Sequence, residues 1–325
     1  VTDFWKKLNK PITILAPMDD VTDVVFREII THTSRPDVFF TEFTSADAIC
    51  SKGREIVARK LAYTQNQRPI VAQIWGSIPE AFDEAAKFIK ELGFDGIDVN
   101  MGCPDKGVQK KGGGAALINN YELVEKLINA IKSGAPDLPI SIKTRLASNK
   151  SSTEQWISFL LSQNINALTL HARTAEELSK VPANWDEIGK AVQLKNKINP
   201  QVTIIGNGDI KSYKDVIAKH IKYGIDGVMI GRGIFHDPWL FDKNEKPKLH
   251  TTAEHFHLMV NHAKLFNETW GKTKNYEVMK KFFKVYVKDF KGANEFRQQL
   301  MDTKSYEDFL KVISNFDQSS IFPNL

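Results

Sequence analysis

Cys103 stands in the run Asn100-Met101-Gly102-Cys103-Pro104, which is followed by KGVQKKGGGAAL. A thiol of ordinary pKa, about 8.5, is largely protonated at neutral pH and can serve as a general acid toward a developing carbanion. The glycine-rich stretch behind it is expected to move and close over a substrate. Cys50, at the end of an alanine-rich helical pattern, is read as a small buried hydrophobe.

Two further glycine turns, GNGD at 206–209 and GRG at 231–233, let backbone N–H groups approach an anion closely and predict a phosphate site. Lys143 and His171 fall beside that site. A cation there can stabilise the negative charge of a reduced flavin, and the Gln73 amide can pair with the amide edge of the ring. Flavin mononucleotide (FMN) therefore fits this set. The cofactor contacts expected are Pro17, Met18, Gln73, Lys143, His171, Asn207, Gly208, Asp209, Gly231 and Arg232. No metal is expected.

These residues need a scaffold that brings distant segments together. Eight short apolar runs, ITILAPM, VFFTEF, IVAQIWG, GIDVNMG, PISIKTR, ALTLHAR, TIIGNGD and GVMIGRG, begin near residues 12, 38, 70, 96, 139, 167, 203 and 227. Amphipathic helical patterns, such as 79–92 and 121–131, alternate with them. The prediction is an α/β fold, a (β/α)8 TIM barrel, in which reacting groups project from the C-terminal strand ends. A doubly wound open sheet is the competing fold, but it would concentrate ligands at one switch point, whereas here nearly every run ends in polar residues.

The pattern changes after Gly233. The polar stretch 242–250 reads as a linker, and only helical patterns follow, at 252–270, 275–290, 293–301 and 305–316. The expected division is a catalytic barrel over 1–241, the linker, and a small all-α bundle over 251–325. Residues 272–291 hold seven lysines against Glu277 and Asp289. On one continuous helix Lys280, Lys281, Lys284 and Lys288 would form a stripe suited to a phosphate backbone, with Arg297 following.

The chain has 325 residues, 42% hydrophobic and 26% charged, with a formal net charge of +5, a soluble globular composition that permits nucleic-acid binding without requiring it. Two cysteines support neither a disulfide framework nor a zinc cluster, and point to a reducing cytoplasm. There is no apolar run of the roughly 20 residues that would span a bilayer, and no signal-peptide layout is seen. A cytoplasmic, monomeric protein away from membranes is expected.

The runs APMDDVTDVVFR, NMGCPDKGVQKKGGGAAL, IKTR, HART, GNGDI and GRGIFHDPW, over residues 12 to about 240 and in this order, resemble the tRNA-dihydrouridine synthase family. MKKFFKVYVKDFKGANEFR is similar to the lysine-rich helical stretch of that family's C-terminal domain. The resemblance implies an FMN barrel reduced by NADPH, or NADH, that hydrogenates the C5=C6 bond of a uridine in tRNA, with Cys103 as the acid. It places Asn100 against the target uracil and puts Arg145 and Arg173 near the substrate. Ala175, Ser179 and Phe282 depart from the commonest family pattern and leave the tRNA position modified open. Two other readings stand beside it: a flavin barrel acting on a free pyrimidine, such as a dihydroorotate dehydrogenase, and a non-catalytic RNA-binding protein.

Overall fold

A computed structural model describes residues 3–244 and 247–316. The expected domains thus include residues 1–2, 245–246 and 317–325, which lie outside the described residues. Eight parallel strands form at the predicted places: β1 (Ile12–Leu15), β2 (Val38–Phe40), β3 (Ile70–Trp75), β4 (Gly96–Met101), β5 (Ile140–Arg145), β6 (Ala167–His171), β7 (Thr203–Asn207) and β8 (Gly227–Ile230). Each pairs with the next in sequence, and β1 pairs with both β2 and β8, so the sheet closes into a barrel. A two-residue strand, Thr44–Ser45, extends the edge of β3. Almost every strand residue is buried, as expected of parallel strands covered by helices on the outside and packed side chains within.

Strand alternation sends every second residue inward. On β8, β1 and β2 these are apolar, and Ile12, Ile14, Ala16, Val38, Phe40 and Met229 form one cluster with Val71, Ala167, Ile205 and Trp5. Trp5, from the N-terminal turn Phe4–Lys7, stands against the strand beginnings, 6.4 Å from the Phe40 ring. The interior of β3 to β6 is polar instead: Gln73, Asp98, Ser141 and Thr169 are essentially inaccessible. Burying so many polar groups is tolerable only where hydrogen bonds compensate. The barrel is therefore packed with hydrocarbon on one side and lined with functional groups on the other.

The helices carry the start and stop signals their sequences advertise. Ser212 and Asp215 form a capping box before Tyr213–Tyr223, and Gly224 ends that helix with φ of 67°. Thr251 and Glu254 do the same for Thr252–Trp270. No helix among the described residues is long and apolar enough to cross a membrane.

The chain separates into two compact units, one of residues 1–24 and 36–233, the other of 25–35 and 234–325. Within the second unit Phe26, from the helix Val24–Thr31, stacks on Phe282 at 5.1 Å and lies 5.8 Å from His262. His262 Nδ1 is 2.9 Å from the Tyr286 hydroxyl, a buried polar pair. The C-terminal helices Thr252–Trp270, Ala293–Asp302 and Tyr306–Asn315 match the predicted segments. The lysine-rich segment does not: a 3-10 turn, Tyr276–Met279, leads into a helix of only Lys280–Tyr286, and Val287 is extended. The continuous stripe is therefore corrected. Lys288 lies past the helix end and donates to the His236 carbonyl at 2.5 Å, and Lys280 pairs with Glu277 at 2.9 Å. Arg297 donates to Val287 O and Asn294 Oδ1. Lys284 keeps an exposed position on the short helix.

Candidate active site

Strand register fixes which side chains share a level at the C-terminal end of the barrel. Asn100 is opposite Lys143, Lys143 opposite Thr169, Arg145 opposite His171, and His171 opposite Asn207. The rim residues from β4 to β7 thus come together although they span more than a hundred positions of sequence.

Cys103 follows β4 directly, and its backbone is held on both sides. Its N–H donates to Asn100 Oδ1 at 2.9 Å, and its carbonyl accepts from Ala115 N–H at 2.9 Å. The second contact depends on Gly114, whose φ is 59° and whose Cβ, were there one, would sit 2.6 Å from the Cys103 carbonyl oxygen. The glycine-rich stretch is thereby anchored on the cysteine, with Asp105 capping the short helix Lys106–Lys110. The thiol is partly exposed. Burial pushes its pKa up, the Asp105 amide opposes this by donating to the sulfur, and the Asp105 carboxylate adds to the rise, against Lys143 and Arg145. The environment keeps the proton on sulfur at neutral pH.

Four cations act on His171 at this rim, and two of them, Lys143 and Arg145, act on Cys103 as well. Burial, followed by the neighbouring Arg145, brings Lys143 down to about 8. The buried Asp98 carboxylate partly offsets that fall, and Thr169 Oγ1 on the next strand is buried and unpartnered. Arg145 is 9% exposed and donates through Nε to Gly102 O at 2.8 Å, and through Nη1 to the carbonyls of Thr174 and Leu178. Arg173, 2% exposed, donates to Val181 O and to Asp209 Oδ2 at 2.5 Å. Both arginines brace loops. Arg232 is mostly exposed, 4.0 Å from Asp209. Burial and then these four cations hold His171 far below the usual imidazole range, at about 2, so it is neutral.

The two glycine turns lie beyond β7 and β8. Gly208 has φ of 136°, and a Cβ there would approach Ala183 Cβ to 2.7 Å. Its carbonyl accepts from Trp185 Nε1 at 3.0 Å, and Asn207 Nδ2 donates to Met229 O at 2.8 Å. The carboxylate of Asp209 faces Arg173 and Ala183 N–H and is held below the usual carboxylate range. Gly231 has space on its open side: a Cβ would meet Met18 Sδ at 3.6 Å and Ala16 Cβ at 3.7 Å. Pro17 and Met18 follow β1 at the same rim, with Met18 N donating to Thr22 Oγ1. A recess of about 380 Å³ elsewhere, lined by Glu154, Glu187, Lys190 and Lys197, lies between outer helices and shares no residue with this rim.

Residues 14–320 match the family model described as dihydrouridine synthase. The chain belongs to that family. Dihydrouridine synthases are oxidoreductases, and this chain is an enzyme of that kind. A Staphylococcus aureus (strain COL) protein named "Probable tRNA-dihydrouridine synthase" is 42% identical over 97% of this chain and 96% of its own length. "Probable tRNA-dihydrouridine synthase 2" of Bacillus subtilis (strain 168) is 40% identical over 97% of each chain. Among solved structures, a 2-naphthoyl-CoA reductase complex superposes with a TM-score of 0.53 at 13% identity, covering 74% of this chain and 52% of that one, a likeness of fold alone.

Sequence reasoning found the dihydrouridine synthase rim but missed what lies beneath it. Asp98, Ser141 and Thr169 are inward-facing positions two residues before Asn100, Lys143 and His171. The signal was present in strand alternation, which puts each on the same face as the rim residue it precedes.

Proposed function

We propose that the chain is an FMN-dependent tRNA-dihydrouridine synthase, acting in the cytoplasm with NADPH as reductant and tRNA as substrate. The observation that carries this reading is a protonated thiol, fixed by its own backbone contacts, next to a buried ammonium at the C-terminal end of a barrel of this family.

The residues present fit such a cofactor. Lys143 offers a positive charge lowered in pKa by burial, Gly208 and Gly231 offer backbone at turns without side chains, and Arg232 is only loosely engaged. Lys143, His171, Asn207, Gly208, Gly231 and Arg232 would hold FMN, with Pro17 and Met18 beside them. When bound and reduced, FMN supplies the hydride that C6 of a uracil takes up. Cys103 gives C5 the proton, from a thiol that its surroundings keep protonated. Arg145 and Arg173 hold the loops that frame the pocket. The uracil must leave its stack to reach the thiol, which costs least in a loop of folded RNA. Lys284 and its neighbours in the helical unit are suited to the phosphate backbone of that RNA.

The test is incubation of the flavin-loaded protein with NADPH and unmodified tRNA, with dihydrouridine read by mass spectrometry. Product from tRNA, none from free uridine, and none from Cys103→Ala that still retains flavin are the expected results. Equal reduction of a free pyrimidine would favour the small-molecule alternative, and undiminished product from Cys103→Ala would overturn the acid.

A further inference from the structure

Four side chains form one line of hydrogen bonds below the rim. Asp98, wholly buried, accepts the Ser141 hydroxyl at 2.6 Å on one oxygen and Gln73 Nε2 at 2.7 Å on the other. Gln73 Oε1 accepts Asn100 Nδ2 at 3.0 Å. Asn100 Oδ1 then accepts the N–H of Gly102 at 3.1 Å and of Cys103 at 2.9 Å. Gln73 and Asp98 are register partners on β3 and β4, so the line needs no distortion of either strand.

The direction of this line is set at one end. A carboxylate only accepts hydrogen bonds, whereas each amide can present either its oxygen or its nitrogen. Burial pushes Asp98 up to about 7, against the Ser141 hydroxyl, the Gln73 amide and the Lys143 charge. When it is ionised, the form that prevails above that pH, Gln73 must turn Nε2 toward it, which leaves Oε1 for Asn100. Asn100 must then turn Nδ2 toward Gln73, which leaves Oδ1 for the two backbone donors of the cysteine loop. We propose that Asp98 is a positioning residue for the Cys103 proton donor, acting through the fixed orientation of the Gln73 and Asn100 amides. This rests on the reading of Cys103 as the acid, but the geometry it concerns can be measured without turnover.

A residue that merely filled the core would tolerate an isosteric amide wherever its hydrogen bonds could be re-made. Asp98→Asn re-makes them in two ways with opposite consequences. If the introduced amide presents its nitrogen to Gln73, the two amides above it reverse and Asn100 offers N–H groups to the N–H groups of Gly102 and Cys103, which repel. If it presents its oxygen, the line stands, but its nitrogen must face the Ser141 hydroxyl, which can turn to accept. The double variant Asp98→Asn/Gln73→Glu removes the ambiguity, because the carboxylate moves one place along and again forces Asn100 to keep Oδ1 on the loop.

The readout is the alkylation rate of Cys103 by iodoacetamide, followed by mass spectrometry in a Cys50→Ser background, since Cys50 is exposed. Folding is checked by circular dichroism and thermal unfolding. Loss of one hydrogen bond to the loop predicts a rate altered about five- to tenfold in Asp98→Ala, which offers Gln73 no acceptor, with a rate within about twofold of the parent in Asp98→Asn/Gln73→Glu. Ser141→Ala, which removes one donor to Asp98 but leaves the contacts from Asp98 through Gln73 to Asn100 in place, is expected to label at the parental rate. Parental labelling of Asp98→Ala, which leaves Gln73 no acceptor below it, overturns the proposal, as does a double variant that stays displaced. An equal change in Ser141→Ala also overturns it, by showing that any disturbance of the core moves the cysteine. Should Asp98→Ala fail to fold, the double variant decides alone: parental labelling supports the proposal and altered labelling overturns it. None of these outcomes depends on dihydrouridine formation, so the failure of this inference and of the functional reading are separable.

Discussion

Arg173 Nη1 lies 3.3 Å from His171 Nε2, and because a guanidinium has no lone pair to offer, the imidazole nitrogen must be the acceptor. His171 is therefore neutral with its proton on Nδ1, and the Asp209 carboxylate behind Arg173 holds the arrangement in place. A histidine at the centre of a cluster of cations is here a neutral donor, with the positive charge supplied by its neighbours.

Acid stability depends on that pair. The folded pKa of His171, about 2, is depressed below its ordinary 6.5. Its contribution to stability is therefore fully present above the unfolded pKa and is lost as pH falls from there toward the folded value, by at most about 1.4 kcal/mol per pH unit. His171→Gln, which cannot titrate, is expected to lose less thermal stability between pH 7 and pH 4 than the parent. Thermal unfolding across that range checks it, and parallel curves would count against a buried neutral imidazole.

Lys143 titrates at the opposite side of neutrality. With its pKa lowered to about 8, it carries its charge at pH 7 and gives it up as pH rises further. Flavin affinity, followed by fluorescence quenching, should fall between pH 7 and pH 9 in the parent. Lys143→Met is expected to bind about ten- to a hundredfold more weakly at pH 7, the value of one charged hydrogen bond, and to show a flatter profile. A variant with parental affinity or the parental slope would exclude this ammonium from cofactor binding.

The two glycine turns should respond differently to the same added methyl group. Gly208→Ala places a Cβ against Ala183 at a backbone conformation that alanine rarely adopts, and is expected to cost about 1–3 kcal/mol of stability and to impair flavin retention. Gly231→Ala meets only ordinary contacts, so its unfolding temperature should be nearly parental, within about 0.5 kcal/mol, while flavin affinity falls. Unchanged affinity in Gly231→Ala would remove that turn from the cofactor site.

For RNA binding, the broken lysine helix ranks the cations. Lys284→Glu is expected to weaken tRNA binding and to lower the dependence on salt by roughly 0.7–0.9 of a logarithmic unit for each phosphate that is no longer neutralised. Lys280 is already paired with Glu277, and its reversal should have the smaller effect. Titrations at several salt concentrations distinguish the two, and equal slopes for both variants would show that the ion pair does not matter.

The strands were legible because burial on both faces writes itself as short, almost unbroken apolar runs, and their polar last residues marked the rim. Cys103, Lys143 and His171 could be placed from that alone. The work of the amides was not legible: Gln73 and Asn100 read as ligand contacts at strand ends, and only the register of β3 against β4 places the Gln73 amide on Asp98. Arg145 and Arg173 read as substrate contacts, and nothing in the sequence showed that they also donate to the backbone carbonyls of Gly102 and Val181. The lysine stripe was lost because helical periodicity continues through 287–290, while the chain turns at Val287 and Asp289 adopts φ of 64°.

The segment 25–35 is counted with the carboxyl-terminal helices although it is translated between the first two strands of the barrel. Besides Phe235, Phe26 has ring partners in His262 and Phe282, which emerge from the ribosome far later. A gene shortened after residue 241 would leave that phenylalanine without them, so the helical unit cannot be trimmed away as an appendage. Helices made after the barrel thus complete a packing that a segment between its first two strands began.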